Sequence, residues 1–304
     1  MLPPDADANN EAAPARQAAG FPRWQSKIIY AAEASWAAAA SGVTSLIESP
    51  GFREVKRTPR SIAGFLEINR QRCFIKRVEE GSLLKGWVAR LRGSRAVRIM
   101  RGARMLQTAG FSHPRPLLAV EERAYGAVRA SWVASEALPD ARVMSAFILA
   151  DGRNFYRRQW LARLAAREIC RLHDAGLYTL DMQETNLMLE AGGGEVRIYF
   201  LDLEDFRSAR RVSWKLRLRN LVHLDRSIGR FASRSRRLRF FYGYLGGKPE
   251  RAEAHALVRR LLEEKRRLDC RKRGGIQGAL RQSTPEVIKP MRAATGKLQY
   301  RPRY

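Results

Sequence analysis

The spacing of apolar residues changes along the chain, from alternation in its first half to a helical period in its second. Over residues 52–80, apolar and polar side chains alternate on either side of an Asn-Arg-Gln-Arg turn, which predicts two strands. A helix over about 94–108 follows, with Gly110 as its C-terminal glycine. The segment 113–138 suggests two further strands. The first half is therefore expected to be rich in β-structure.

The pattern becomes helical from about Ala141. Residues 155–176 carry their apolar side chains on one face and end at a glycine. Two short apolar strands joined by Ala-Gly-Gly-Gly then predict a hairpin. Beyond Arg207 the chain is helical and very basic. Its apolar residues step by three and four and predict one buried stripe: Trp214, Leu218, Leu221, Leu224, Ile228 and Phe231.

This order predicts an α+β protein with a small β-rich lobe, a larger α-helical lobe and a cleft between them, where ligands usually bind. The predicted divisions are a disordered N-terminal tail (1–27), an Ala-rich helix (28–50), an N-lobe (51–135), a C-lobe (136–269) and a basic C-terminal tail (270–304). The Ala-rich helix contains Glu33, so it is expected to lie on the domain or on a membrane surface.

The composition indicates an anionic partner. The formal net charge is +27, from 57 basic and 30 acidic residues, which fits nucleic acid, acidic lipid headgroups or a phosphorylated substrate. The three cysteines and four histidines are scattered, so neither a disulfide framework nor a zinc site is predicted. The polar start of the chain shows no secretory signal. We therefore expect a cytoplasmic protein.

Four polar residues fall where phosphoryl transfer needs them. Lys76 ends a strand, Asp181 and Asn186 lie in the loop before the hairpin, and Asp202 follows the second hairpin strand. A cation binds nucleotide phosphates, a carboxylate positions the attacking hydroxyl, and Asn and Asp oxygens suit magnesium. Each residue alone is explained as a strand end, cap or turn. Taken together they are more specific: the Asp-x4-Asn spacing, the hairpin after it and the Asp at the end of the hairpin follow the order of the α-rich lobe of a kinase.

Five segments carry a more specific resemblance. They span about residues 52–245 and read VKRTPRSIAGFLEINRQRCFIKR, GARMLQTAGFSHPRPLLAVE, LHDAGLYTLDMQETNLML, FLDLEDFR and RNLVHLDRSIGRF. In these the chain resembles the bacterial lipopolysaccharide core kinases, the Kdo and heptose kinases, which are related to protein kinases. The N-L-x-x-L-x-R-S pattern in the last segment is typical of this family. The resemblance implies a bilobal protein-kinase-like fold.

The resemblance also implies roles and cofactors. ATP and Mg²⁺ are the expected cofactors. Asp181 would be the catalytic base, while Asn186 and Asp202 would hold magnesium. Lys76 would contact the nucleotide phosphates. The hinge would be the segment Ser135, Glu136, Ala137 and Leu138, whose backbone would meet the adenine.

The chain departs from the family pattern at several positions. Thr179-Leu180 stand where His-Arg usually precede the catalytic Asp, and Glu204 replaces the second Asp of a usual DLD. The helix 94–108 contains no acidic residue to pair with the strand lysine. Ile99 occupies that place by our alignment, which leaves Glu79 or Glu80 as candidate substitutes. These departures predict an atypical kinase and keep open a pseudokinase that scaffolds or regulates.

Two basic regions suggest where an anionic partner binds. Arginines at 95, 98, 101 and 104 step by three along one helix, and residues 206–249 contain Asp225 as their one acid. A membrane surface fits a glycolipid substrate. The expected function is phosphorylation of a sugar hydroxyl of a lipopolysaccharide core or related glycolipid, by a protein peripheral at the inner membrane. Nucleic acid is the competing partner, because aromatic residues interleave with arginines there.

Overall fold

The computed structural model describes residues 25–68, 70–150, 155–192, 195–229 and 232–282. They form two compact units. The first contains the described chain up to Val97 together with Pro116–Ala137, and the second contains Arg98–Arg115 and the described chain from Leu138 onward. Of the disordered tail expected at 1–27, residues 1–24 lie outside the described residues, as do residues 283–304, whereas Gln25 to Lys27 belong to a strand.

The first unit is built on one antiparallel sheet. Its strands run in the order β1-β5-β6-β4-β3-β2. They are β1 (Gln25–Ala31), β2 (Arg53–Thr58), β3 (Ser61–Ile68), β4 (Gln71–Glu79), β5 (Pro116–Ala124) and β6 (Ala127–Glu136). The alternation of apolar residues in β3 and β4 gives these strands one buried face, as their sequence pattern predicts.

The Ala-rich segment is not the continuous helix expected over 28–50. Its first residues pair with β5, with Lys27 opposite Glu121 and Ala31 opposite Leu118. Helix α1 (Ala34–Ala39) and a 3₁₀ helix (Ala40–Leu46) follow. Trp36 of α1 is buried in the core of the sheet. The strand residues include two isoleucines and a tyrosine, which suit β-structure, whereas the alanine-rich residues after them are the ones that form helices.

Two helices complete the first unit and lead into the second. Helix α2 (Leu83–Arg92) lies against β6, where a side chain on Gly86 would collide with the Val128 carbonyl oxygen, 2.2 Å away. Ser82 caps its first turn. Helix α3 (Arg95–Thr108) begins in the first unit and continues in the second.

The second unit is mostly helical, with short strands around the predicted hairpin. Strands β9 and β10 form that hairpin, β7 joins β9, and β8 pairs with β11. The elements are β7 (Arg142–Val143), α4 (Met144–Ala150), α5 (Phe155–Asp174), β8 (Leu177–Thr179), β9 (Leu187–Gly192), β10 (Glu195–Phe200), β11 (Phe206–Ser208), α6 (Trp214–Ile228), α7 (Arg234–Tyr244) and α8 (Arg251–Gln282).

The apolar stripe of α6 packs in the core of the second unit. Leu218, Leu221 and Leu224 are buried, and Trp214 and Ile228 are partly buried. Phe231 lies outside the described residues. Residues 270–282, expected to belong to a C-terminal tail, are instead the end of α8. Among the described residues, no helix is long and apolar enough to cross a bilayer.

Candidate active site

The loop that carries Asp181 connects β8 to β9. It leaves β8 at Thr179 and passes through one 3₁₀ turn, Glu184–Asn186. The Asp181 N–H donates to the Thr179 hydroxyl (3.2 Å), and the Asn186 side-chain amide donates to the Asp181 carbonyl (3.0 Å). The backbone of Asp181 is therefore held from both sides, by Thr179 and by the predicted metal ligand Asn186.

The Asp181 carboxylate is oriented by two neighbouring side chains. Gln183 Nε2 donates to both of its oxygens, at 2.6 and 2.8 Å. His223 Nδ1 lies 3.7 Å from Oδ1, and the Asp181 side chain keeps 34% of its surface exposed. Burial and then Arg219 lower the pKa of His223, against the opposing effect of Asp181. The carboxylate thus sits beside a neutral imidazole and remains open to a ligand.

Asp202 lies where β10 ends, next to Asn186. The Leu201 N–H donates to the Asn186 carbonyl (2.9 Å), which ties the end of the hairpin to the Asp181 loop. Asp202 has a left-handed backbone, with φ 52° and ψ 52°. This conformation costs an ordinary side chain about 1–2 kcal/mol, and Asp is among the residues that tolerate it. Such strain is often found at functional sites.

Asp205 is a site residue that the sequence did not reveal. Burial raises its pKa above the ordinary value, and the neighbouring charge of Asp202 raises it further. Glu204 and Asp181 act in the same direction, while Arg207 opposes them. Its carbonyl accepts the Leu180 N–H at 3.1 Å. Negative charge is therefore crowded around the turn that Asp202 begins.

The donors present fit magnesium. Asn186 is held through its amide nitrogen and so retains an oxygen for a cation, and Asp202 supplies a carboxylate from an adjacent position. Magnesium is usually bound by one or two protein oxygens together with substrate phosphates and waters. Within the described ranges no group of three or more His, Cys, Asp or Glu is arranged to hold a metal alone. A shared site of this composition needs a phosphate ligand.

Helix α6 holds the residues before Asp181 in place, where the family pattern usually has a His-Arg pair. The side chain of Asn220 accepts the Thr179 N–H (3.2 Å) and donates to the Thr179 carbonyl (2.7 Å). Its oxygen is also 3.1 Å from His173 Nε2, and His173 Nδ1 is 2.8 Å from the Tyr244 hydroxyl. This buried network fixes the residue two positions before Asp181. Leu180, which lies between Thr179 and Asp181, is exposed.

A second residue of α6 holds the other end of the loop. Ser227 accepts the N–H of Glu184 at 2.9 Å and donates to the Leu224 carbonyl at 3.0 Å. Asn220 and Ser227 are the first and last residues of the N-L-x-x-L-x-R-S pattern. The pattern therefore has a structural reason: its polar ends bind the loop and its leucines enter the core. The sequence showed the pattern but not that Asn220 and Ser227 bind the loop that carries Asp181.

The predicted nucleotide-binding residues lie in the first unit. Lys76 is on β4, opposite Ala63 and Val133. Ser135 and Glu136 end β6, and the Ala137 N–H donates to the Arg72 carbonyl (3.1 Å). The first unit ends at Ala137. The structure thus brings Asp181, Asn186 and Asp202 together in the second unit. Lys76 and the residues Ser135–Ala137 of the hinge segment belong to the first unit.

The candidate substitutes for the missing helix acid have other partners. Glu79 pairs with Arg77 at 2.8 Å. Glu80 accepts the first N–H of α3, from Arg95 (3.2 Å), and the Ser131 hydroxyl (3.1 Å). Glu80 therefore caps α3, where a carboxylate is favourable.

Two further residues at positions that depart from the family pattern lie in the second unit. Ile99 is partly buried against its core. Glu204 pairs with Arg98 at 3.1 Å.

Together, the β-rich unit, the helical unit and the Asp-Asn-Asp loops define a protein of the kinase-like fold. The sequence profile of the lipopolysaccharide kinase (Kdo/WaaP) family matches residues 47–244, which is well over half of the chain. The chain belongs to this family, whose members are phosphotransferases acting on sugar hydroxyls. The resemblance stated from its motifs is confirmed.

The solved structure of WaaP supports this fold. WaaP, determined in complex with acyl carrier protein, has a TM-score of 0.59 and 17% identity, with 80% of this chain and 99% of that chain covered. The PknI kinase domain of Mycobacterium tuberculosis has a TM-score of 0.36 and 14% identity, covering 64% of this chain and 75% of that one. No curated protein matches the sequence.

Proposed function

We propose that this protein transfers the γ-phosphate of ATP to a sugar hydroxyl of a lipopolysaccharide core or related glycolipid at the cytoplasmic face of the inner membrane. The observation that carries the proposal is the Asp181 carboxylate, which is oriented by Gln183 and partly exposed, with Asn186 fixed to its backbone. Membership of the lipopolysaccharide kinase family supports the acceptor class.

In this proposal Asp181 positions the acceptor hydroxyl, and the other site residues bind the nucleotide and its metal ion. Asp181 accepts a hydrogen bond from the acceptor hydroxyl and aligns it for attack, a role of positioning more than strong basicity. Asn186 and Asp202 would hold Mg²⁺, which supplies neutralisation of the phosphate charge when bound. Lys76 contacts the nucleotide phosphates. The adenine meets the main chain of Ser135–Ala137 through groups other than the Ala137 N–H, which Arg72 already engages.

The decisive test is Asp181→Asn. The Asn side chain has nearly the same size and shape as that of Asp, so ATP affinity and melting temperature should stay close to wild type. Phosphoryl transfer should fall at least about a hundredfold, the scale of losing one positioned acid–base group. Asp140→Asn is the matched control, because Asp140 is exposed and the charge change is the same.

Two results would contradict the proposal. One is unchanged transfer by Asp181→Asn. The other is wild-type protein that binds ATP with magnesium but transfers phosphate to no sugar, lipid or protein acceptor. The second result would favour the pseudokinase alternative, a scaffold that binds an anionic partner.

An apolar cavity supports a lipid-bearing substrate. A cavity of about 580 Å³ in the second unit is lined mainly by apolar side chains, Phe147 and Leu221 among them, with Arg163 and Arg239 at its wall. Its volume lies in the range of ordinary ligand pockets, and an acyl chain is the chemistry that fits it. WaaP was solved with acyl carrier protein, so an acyl carrier is the second partner that this likeness suggests.

The membrane location is tested by competition. Replacing the exposed Arg210, Arg211 and Lys215 with Gln should weaken binding to anionic vesicles, since each basic residue near such a surface contributes about 1 kcal/mol. Vesicles containing lipopolysaccharide should displace an RNA oligonucleotide from wild-type protein. RNA that displaces vesicles at equal charge concentration would instead favour the nucleic-acid-binding alternative.

A further inference from the structure

A small cavity lies beside the turn that carries Asp202, outside the proposed catalytic residues. Its volume is about 170 Å³, and one face of α3 and strand β11 form its wall. The lining residues are Arg98, Arg101, Met105, Phe206, Arg207 and Ser208. Of these described residues three are arginines and none is acidic.

The positions of two of these arginines are fixed by the turn itself. Arg207 Nη1 donates to the carbonyls of Glu204 (2.8 Å) and Phe206 (2.7 Å). Arg98 Nη2 donates to the Glu204 carboxylate (3.1 Å), whose side chain is only 10% exposed. Arg101, one turn of α3 further on, is exposed. The cavity therefore combines two guanidinium groups held in place with a third that is accessible to solvent.

The charge around the cavity calls for an anion. Helix α3 contains no acidic residue, and Arg98 of this cluster pairs with the carboxylate of Glu204 in the turn. Planar guanidinium groups match the oxygens of phosphate and form charge-assisted hydrogen bonds with them. A hydroxyl from Ser208 adds a neutral donor at the wall.

The same helix is in direct contact with the backbone of the turn. A Cβ on Gly102 would lie 1.9 Å from the Leu203 carbonyl oxygen, so α3 and the turn meet main chain to main chain. Leu203 immediately follows Asp202. A ligand that joins α3 to β11 therefore restrains the segment on which the predicted metal ligand depends.

We propose that this cavity binds a phosphomonoester group and that its occupation steadies the Asp202 turn. The phosphate has two sources with the same chemistry. It is either carried by the glycolipid acceptor, in which case the proposal rests on the proposed function, or it is free inorganic phosphate.

Binding is measured first with inorganic phosphate and the full chain, by calorimetry in the presence of magnesium and a non-hydrolysable ATP analogue. Under these conditions phosphate cannot occupy the nucleotide site. Arg101→Gln should weaken binding about tenfold or more, the scale of one lost charge-assisted hydrogen bond. Arg104→Gln, an equal charge change at an exposed position on the same helix, should stay within twofold of wild type.

Equal weakening by both variants would overturn the site, because only the general positive field would then attract phosphate. Unchanged binding in Arg101→Gln would overturn it as well. Circular dichroism and melting temperature confirm that each variant is folded. Arg101→Lys, which keeps the charge but loses the guanidinium fork, should bind with intermediate affinity.

Turnover then separates the two sources. For a phosphate on the acceptor, Arg101→Gln raises KM about tenfold for the phosphorylated glycolipid and leaves KM for the phosphatase-treated glycolipid unchanged. For free phosphate, added phosphate changes the rate with both acceptors in wild type and has no effect in Arg101→Gln. If wild-type protein shows no turnover with either acceptor, the proposed function is overturned. The calorimetric comparison of Arg101→Gln with Arg104→Gln still shows whether the cavity binds phosphate.

Discussion

The buried imidazole of His173 should make the stability of the second unit depend on pH. Its ring is completely buried, and Nδ1 faces the Tyr244 hydroxyl while Nε2 faces the Asn220 side-chain oxygen. A neutral ring that accepts from Tyr244 and donates to Asn220 satisfies both contacts. The pKa of His173 is lowered to about 4, mainly by burial; the contact with Asn220 opposes this shift, and the positive charge of Arg217 contributes to it.

The sign and size of the effect follow from this pKa. A base whose pKa falls on folding binds more protons when unfolded, so stability is complete above about pH 6.5 and is lost as pH falls toward about 4. Each pH unit in that window is worth about 1.4 kcal/mol, which gives a total near 3 kcal/mol. The loss should reach the catalytic loop, because Asn220 joins His173 to Thr179.

Urea unfolding at intervals between pH 4 and pH 7.5 measures this dependence. His173→Gln removes the titrating group, so its free energy of unfolding should fall less steeply with decreasing pH than that of wild type, by about 3 kcal/mol over the window. His255→Gln is the control, since His255 is exposed on α8. Carboxylates such as Asp205, whose raised pKa acts with the opposite sign, cancel in the comparison. Identical pH slopes for wild type and His173→Gln would refute the reasoning.

Three other substitutions test the site. Gly102→Ala should destabilise the protein by about 2 kcal/mol, because its Cβ would collide with the Leu203 carbonyl; an unchanged melting temperature would contradict the contact. Ser227→Ala should cost about 1–2 kcal/mol by leaving the Glu184 N–H unpaired and should lower kcat at saturating substrate, where Ser227→Thr restores both. Asp202→Gly keeps the left-handed backbone without strain, so it should retain stability and lose magnesium-dependent ATP binding; calorimetry showing equal affinities would remove Asp202 from the metal site.

Local patterns predicted much of the fold. The period of two in β3 and β4, the Ala-Gly-Gly-Gly hairpin and the apolar stripe of α6 depend on residues close in sequence, so periodicity was sufficient for each. The adjacency of Asp181 and Asn186 followed from their spacing within one loop. The position of Asp202 followed from the end of the hairpin.

Contacts between distant segments could not be predicted in this way. The strand at Gln25–Ala31 is formed by pairing with β5, about ninety residues later in the chain. The bonds from Asn220 to Thr179 cross 41 residues. The environment of Asp205 depends on burial and on charges from separate loops. No local period encodes such contacts.

The hydrogen bonds from α6 to the loop that carries Asp181 also have a kinetic consequence. The loop at Thr179–Asn186 is anchored by side chains 41 and 43 residues away, and the intervening chain includes the β9–β10 hairpin. Closing so long a segment costs entropy before any bond is gained, so contacts of this separation form slowly. The hairpin and helices are local and form early. During refolding, secondary structure should therefore return before catalytic competence, and newly synthesised protein acquires its active loop only once α6 has been made and docked.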